Sequence, residues 1–247
     1  MADWPRFPNA PINEALLDVR AKLPPEVDLL RLATFQEGIR ERYPDRSERS
    51  TWQAGLELKP TGDVKVHPPI GGPNGYLFKG PDGRRLVQAR LDGFTFNWLK
   101  PYDKWQTFRD EAKELWKRYL DVATPLGVSR IALRYINQLN IPLSMKDFKD
   151  YIRTTPEIAP GLPQGLQNFF MRLEIPDPDS GAAVIVTQTM APPKEDALPL
   201  IFDIDVIREQ TFDARSYEIW EAFEQLRDLK NRIFFLSITD KAQDLFK

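Results

Sequence analysis

Alternation of apolar and polar positions is clearest at the midpoint of the chain, in Val128 to Pro142 (VSRIALRYINQLNIP). Ile131, Leu133, Tyr135, Leu139 and Ile141 fall on one side of an extended backbone, with Arg130, Ala132, Arg134, Gln138 and Asn140 on the other. The spacing predicts a long strand with one buried face. At about 3.3 Å per residue it would run roughly 50 Å, so a bend or bulge is expected near Asn137, where a polar residue interrupts the apolar side.

The same reading along the rest of the chain gives a series of strands and helices. Trp4 to Pro11 is a proline-punctuated extended arm, and Ile12 to Leu23, bracketed by Pro11 and Pro24, reads as a strand. From Asp28 to Tyr43 the apolar residues Leu29, Leu32, Phe35, Ile39 and Tyr43 keep helical spacing until Pro44, which predicts an amphipathic helix. Three short strands are expected next, at Trp52 to Lys59, Val64 to His67 and Gly75 to Lys79. A long one follows, Arg84 to Leu99, whose apolar phase changes across Asp92-Gly93 as a β-bulge would require. Tyr102 to Leu120 is a strong amphipathic helix. Beyond the central strand the pattern predicts a short helix, Met145 to Arg153, and a hairpin joining Asn168–Ile175 to Ala183–Met190 through PDPDSG. A strand over Leu198 to Arg208 and a long helix from about Ser216 follow, and Thr239 is placed to cap a short final helix.

Two stretches of the chain echo each other. Tyr102, Trp105 and Phe108 open the first long helix, and Tyr217, Trp220 and Phe223 open the last, an offset of 115 residues between the tryptophans. The first strands of the two halves end at Pro24 and Pro142, an offset of 118, so the registers agree within three residues. The expectation is an internal duplication. It predicts an α+β protein of two pseudo-repeated β-α-β-β-β-α halves, 1–125 and 126–247, fused into one compact unit, with an antiparallel sheet and the long helices packed on one face. The other face would carry Arg134, Gln138, Asn140, Arg172, Glu174, Thr187, Thr189, Asp203 and Asp205. That polar face is the candidate binding surface, with Arg134 at its centre because a guanidinium on a central strand offers a rigid fork to a carboxylate. The plain alternative is a solvated side of a one-sided sheet.

Composition narrows partners more than it identifies them. With 42% hydrophobic and 28% charged residues the chain has the make-up of a soluble globular protein. Lys and Arg number 34 against 36 Asp and Glu, which gives no global field to draw nucleic acid. No run of apolar residues is long enough to span a membrane and the start lacks a signal-peptide pattern, so a cytoplasmic protein with no membrane partner is expected. Cysteine is absent, which removes disulfides and thiolate metal sites.

Chemistry is mostly excluded. His67 is the single histidine, so no two-histidine metal site can be assembled, and because it is pinned by Pro68 and Pro69 a Ser-His triad built on it is not expected. No phosphate-cradling glycine motif is present, and neither cofactor nor metal is expected. One pattern is compatible with catalysis: Pro44-Asp45, followed by Glu57-Leu58-Lys59, matches the loose arrangement of magnesium nucleases of restriction type, two carboxylates for the metal and a lysine for the attacking water. Its plain alternative is an exposed strand edge. Arg40, Arg42, Arg46 and Arg49 cluster near the first helix, but Glu37, Glu41, Asp45 and Glu48 interleave with them and cancel the field, which argues against nucleic-acid binding. The expected function is therefore a non-enzymatic protein-binding or assembly module, acting on a protein partner or by self-association.

Three segments also resemble a family. Phe7 to Ala15 (FPNAPINEA), Leu133 to Asn137 (LRYIN) and Phe234 to Asp240 (FFLSITD) look like the landmarks, in order, of a sporadically distributed family of bacterial and archaeal proteins of about this length. The resemblance implies a prokaryotic cytosolic protein with no catalytic residues to carry over, and its patchy inheritance suggests an accessory role in a mobile or defence system.

Overall fold

The computed structural model describes residues 4–58, 64–194 and 196–247, at the level of the backbone alone for 52–58 and 64–70. It is an α+β arrangement dominated by one nine-stranded antiparallel sheet. In chain order the elements are β1 (Ile12–Lys22), α1 (Leu29–Ala33) with a 3₁₀ turn (Thr34–Gly38), β2 (Asp45–Leu58), β3 (Val64–Lys79), β4 (Arg85–Arg90), β5 (Gly93–Leu99) and α2 (Trp105–Ala123). They continue with β6 (Gly127–Pro142), a 3₁₀ turn (Phe148–Asp150), β7 (Phe170–Asp177), β8 (Ala182–Met190), β9 (Ala197–Phe212), α3 (Glu218–Ser237) and α4 (Asp240–Asp244). Across the sheet the order is β2-β3-β4-β5-β1-β6-β9-β8-β7, so the two strands that open the halves, β1 and β6, lie side by side at its centre.

The central strand is as its alternation requires. Along β6 the residues Ile131, Leu133, Tyr135, Leu139 and Ile141 are buried, and Asn137 shares their side. Burial of that amide is compensated because its Nδ2 donates to the carbonyls of Phe202 (2.9 Å) and Tyr135 (3.3 Å). The irregularity expected at Asn137 is present, with the additional residue on the partner strand: Ile12 pairs with Asn137 but Glu14 with Ile136, which leaves Asn13 over.

Several local expectations are corrected. The helix over Asp28 to Tyr43 is a single α turn followed by a 3₁₀ turn ending at Gly38, where Gln36 donates its side-chain amide to the Pro44 carbonyl (2.8 Å) and so ties the exit of the segment to that turn instead of to a continuing helix. Leu32, Phe35, Ile39 and Tyr43 are buried all the same. The change of phase across Asp92-Gly93 is a hairpin turn between β4 and β5 rather than a bulge: Gly93 takes φ 145°, and an added Cβ would lie 2.1 Å from the Val19 carbonyl. The polar stretch Asp45 to Ser50 belongs to β2, and the two strands expected over 64–79 are one. Pro68 and Pro69 fall where β3 has β2 as its single neighbour, so their missing donors break no second ladder. The helix expected over Met145 to Arg153 is only the 3₁₀ turn. Four strands rather than three follow the first helix, so the two halves do not share the expected β-α-β-β-β-α order.

The helices carry aromatic stripes into the core. Phe108 of α2 stacks on Phe96 of β5 at 5.2 Å, Trp116 meets Phe94 at 5.7 Å, and Phe234 of α3 packs on Phe202 of β9 at 6.1 Å. Side chains also join the two long helices: Trp105 Nε1 donates to Glu224, Arg109 pairs with Glu224 at 2.6 Å, and Lys113 lies over the rings of Tyr217 and Trp220. The N-terminal arm closes over the end of α3, with Trp4 stacked on Phe235 at 5.1 Å and Phe7 edge-on to Phe246. Thr239 caps α4, accepting from the Ala242 amide. Among the described residues no helix is long and apolar enough to cross a membrane.

Candidate functional site

Register places the predicted polar residues together. Arg134 sits opposite Leu16 on β1 and Asp205 on β9, Asp205 opposite Ile185 on β8, and Asp203 opposite Thr187, which pairs with Arg172 on β7. Because each strand alternates, these side chains share one face with Gln138, Asn140 and Glu174. Arg134 meets Asp203 as a fork: Nε donates to Oδ1 (2.9 Å) and Nη2 to Oδ2 (2.6 Å). This hydrogen bonding holds the guanidinium's pKa above its ordinary value. The Arg134 side chain remains 40% exposed while Asp203 is 11% exposed, so the fork is anchored from below and open above. Beside it, Asp205 has a buried Oδ1 without a hydrogen-bond partner, and burial pushes its pKa up despite the neighbouring arginine. Gln138 donates to Asn140 and accepts from Asn13, and Arg172 pairs with Glu174 at 3.1 Å on the exposed strand β7.

The same face continues into a second cluster that sequence reading missed. On β1, β4 and β5, Asp18 accepts from Arg90 Nη2 (2.8 Å) and Thr95 Oγ1 (2.7 Å), while Arg20 and Arg130 approach its other oxygen at 3.5 and 3.8 Å. Asp92 in the β4–β5 turn pairs with both Arg90 and Arg20. Arg90, only 3% exposed, is thus held by two carboxylates, and their charge raises its pKa although burial opposes it. The signal was available in Asp18 and Arg20 alternating with Leu17 and Val19. What linear reading could not supply was Arg90, brought to them by the hairpin it mistook for a bulge.

The nuclease pattern fares differently. Asp45 opens β2 and Glu57 lies twelve residues further along the same strand, which at about 3.3 Å per residue separates their backbones by roughly 40 Å, too far for one metal ion. Lys59 lies outside the described residues. Arg40, Arg42 and Arg46 are exposed, and Arg42 pairs with Glu114 at 2.8 Å. His67 lies in β3, its side chain outside the description. Among the described residues no group of three acidic or histidine side chains is placed to hold a metal ion.

A cavity of about 150 Å³ lies elsewhere, between the N-terminal arm, the entry to α2, β6 and α3. Tyr102 and Tyr135 join hydroxyls at its base (2.8 Å), and Lys230 points its amine over the Tyr135 ring at 4.0 Å. Burial holds both tyrosines protonated, and burial together with Arg227 lowers Lys230 to about 7. No known protein family and no curated protein matches the chain.

Proposed function

We propose that the chain is a non-enzymatic protein-binding module that presents the Arg134 face of its sheet to a partner protein or to a second copy of itself. The observation that carries this reading is the Arg134–Asp203 fork, pre-set by hydrogen bonds yet accessible, with the half-exposed aliphatic side chains of Leu16, Ile136, Ile185 and Ile201 around it. A guanidinium already ordered loses little side-chain entropy on binding, and apolar area around it supplies driving force. The unpartnered oxygen of Asp205 offers an acceptor to the same partner. On the resemblance to a patchily inherited prokaryotic family, this module acts in the cytoplasm as an accessory to a mobile or defence system.

The reading includes an internal repeat with both long helices on the opposite face. Supporting it, β1-β5-β4-β3 and β6-β9-β8-β7 are the same order run outward from the centre. Leu17 pairs with both Phe96 and Leu133, and Leu133 with Val206, so Phe96 under α2 and Phe202 under α3 belong to one side. Arg134→Ala is the test. Sedimentation velocity across a concentration series and affinity capture on the native host's lysate should show association in the parent and its loss in the variant. Association that survives the substitution moves the binding surface elsewhere.

A further inference from the structure

Charge withdrawn from water is costly unless it is paired, and half-buried Lys230, in the cavity beneath the N-terminal arm, has no counter-charge among the described residues. Among the described residues, the hydrogen-bond partner of Lys230 Nζ is the neutral Asn231 Oδ1 (2.5 Å), and no carboxylate lies within ion-pair distance of it. Arg227, one turn earlier on α3, reaches Glu224 and Asp228 only at 3.8 and 3.9 Å. Glu224 is already occupied: it accepts from Trp105 Nε1 (2.8 Å) and from Arg109 (2.6 Å). Two residues that line the cavity also carry buried polar atoms without a hydrogen-bond partner among the described residues, the Trp4 Nε1 donor and the Gln106 Oε1 acceptor. The walls between them are aromatic, Trp4 from the arm, Trp105 from α2 and Phe234 and Phe235 from α3.

We propose that this cavity binds a small organic monocarboxylate with a flat, apolar body, whose carboxylate pairs with Lys230 and Arg227 and whose body lies against Trp105 and Trp4. The volume of about 150 Å³ suits one ring or a short chain. A phosphate dianion is a poorer match, since such groups are usually met by a nest of backbone amides or by several arginines. The site lies on the side of the sheet away from Arg134 and does not depend on the binding reading above.

Proton linkage gives the site a signature. With Lys230 poised near 7 in the free protein, a bound anion favours the ammonium and raises its pKa, so binding takes up a proton above neutrality. Affinity is therefore full below about pH 7 and weakens above it. The other groups facing the amine do not supply this dependence: Tyr102 and Tyr135 stay protonated, and Arg6, Asp103 and Lys104 stand exposed at the rim.

The test uses the full chain and a panel of benzoate, phenylacetate and hexanoate, each matched with its neutral amide, read by saturation-transfer NMR and by quenching of tryptophan fluorescence. At least one acid should bind saturably, about tenfold or more tighter than its amide, and more weakly at about pH 8.5 than at about pH 6.5. Lys230→Met should remove both the acid's advantage and the pH dependence while melting no lower than the parent. Arg227→Gln, expected to weaken the acids selectively, serves as the variant should Lys230→Met fail to fold. Equal binding of acid and amide, acid binding unchanged in the substituted protein, or no saturable binding by any of the panel overturns the proposal.

Discussion

Two cations withdrawn from water, one buried and one half-buried, behave in opposite ways in this molecule. On the polar face of the sheet, Arg90 is nearly inaccessible and touches Asp18, Asp92 and Thr95. In the cavity, Lys230 is turned inward against an aromatic ring, with a neutral amide for company. In the first the charge of Arg90 is matched by two carboxylates, which ties β1, β4 and the turn into β5 together. The second is incomplete in the free protein, and what completes it must come from outside or be a lost proton. Burial alone does not distinguish structure from function here, whereas the presence or absence of a counter-charge does.

The sharpest ways to break this contrast act on its walls and anchors. Trp105→Ala removes a wall of the cavity and leaves Glu224 short of a donor, and should destabilise by about 5 kcal/mol; Trp220→Ala, whose indole makes no comparable bond, should cost about 3 kcal/mol, both read from urea unfolding. A Trp105 variant no worse than the Trp220 variant would show that the Glu224 bond adds nothing. Asp18→Ala strips Arg90 and Thr95 of their acceptor and should cost about 3 kcal/mol in the same measurement. Arg134→Ala breaks a pair that water already reaches, and the loss should be only about 1 kcal/mol. A much larger loss would make that fork a structural anchor like Arg90.

Lys230→Met is set apart by direction, as the one change expected to stabilise, and its sign is the informative part. A lysine whose folded pKa is lowered to about 7 destabilises the fold wherever it is charged in both states, that is below about pH 7, and the penalty disappears as pH rises to its ordinary range near 10. The variant should therefore melt above the parent at neutral pH, and thermal denaturation at successive pH values should show the gap closing towards about pH 10. A gap that widens instead would mean that the amine is well paired in the native state.

Legibility in the sequence followed the range of the interactions. Alternation in β6 and helical spacing in α2 and α3 are local, and those elements were predicted nearly to their ends. The stretch from Asp28 to Tyr43 kept helical spacing but not a helix: Gln36 ties the Pro44 carbonyl to the 3₁₀ turn, a contact that spacing does not reveal. At the candidate surface, Arg134, Asp203 and Asp205 could be gathered by counting parity along β6 and β9. Asp18 with Arg90 could not be, since it needs the β4–β5 turn to be recognised as a turn. Lys230 left a trace that was overlooked: it occupies the stripe position between Leu226 and Phe234 of α3, where a residue facing the core is expected. A lysine in such a stripe marks a site to inspect.

The central position of β1 shapes how the chain can be made. It precedes every other strand of this sheet along the chain, yet its neighbours are β5 and β6, and Ile12 finds its partner Asn137 only after 125 further residues. Until β6 exists, one edge of β1 is bare, and no other ladder joins the sheet's two flanks, because each of the others lies wholly within one of them. Closure at the middle is a late event of high sequence separation, which makes folding slow compared with a helical protein of this size and leaves an apolar strand edge exposed on the ribosome. A cell producing this protein must guard that edge until the second half has emerged.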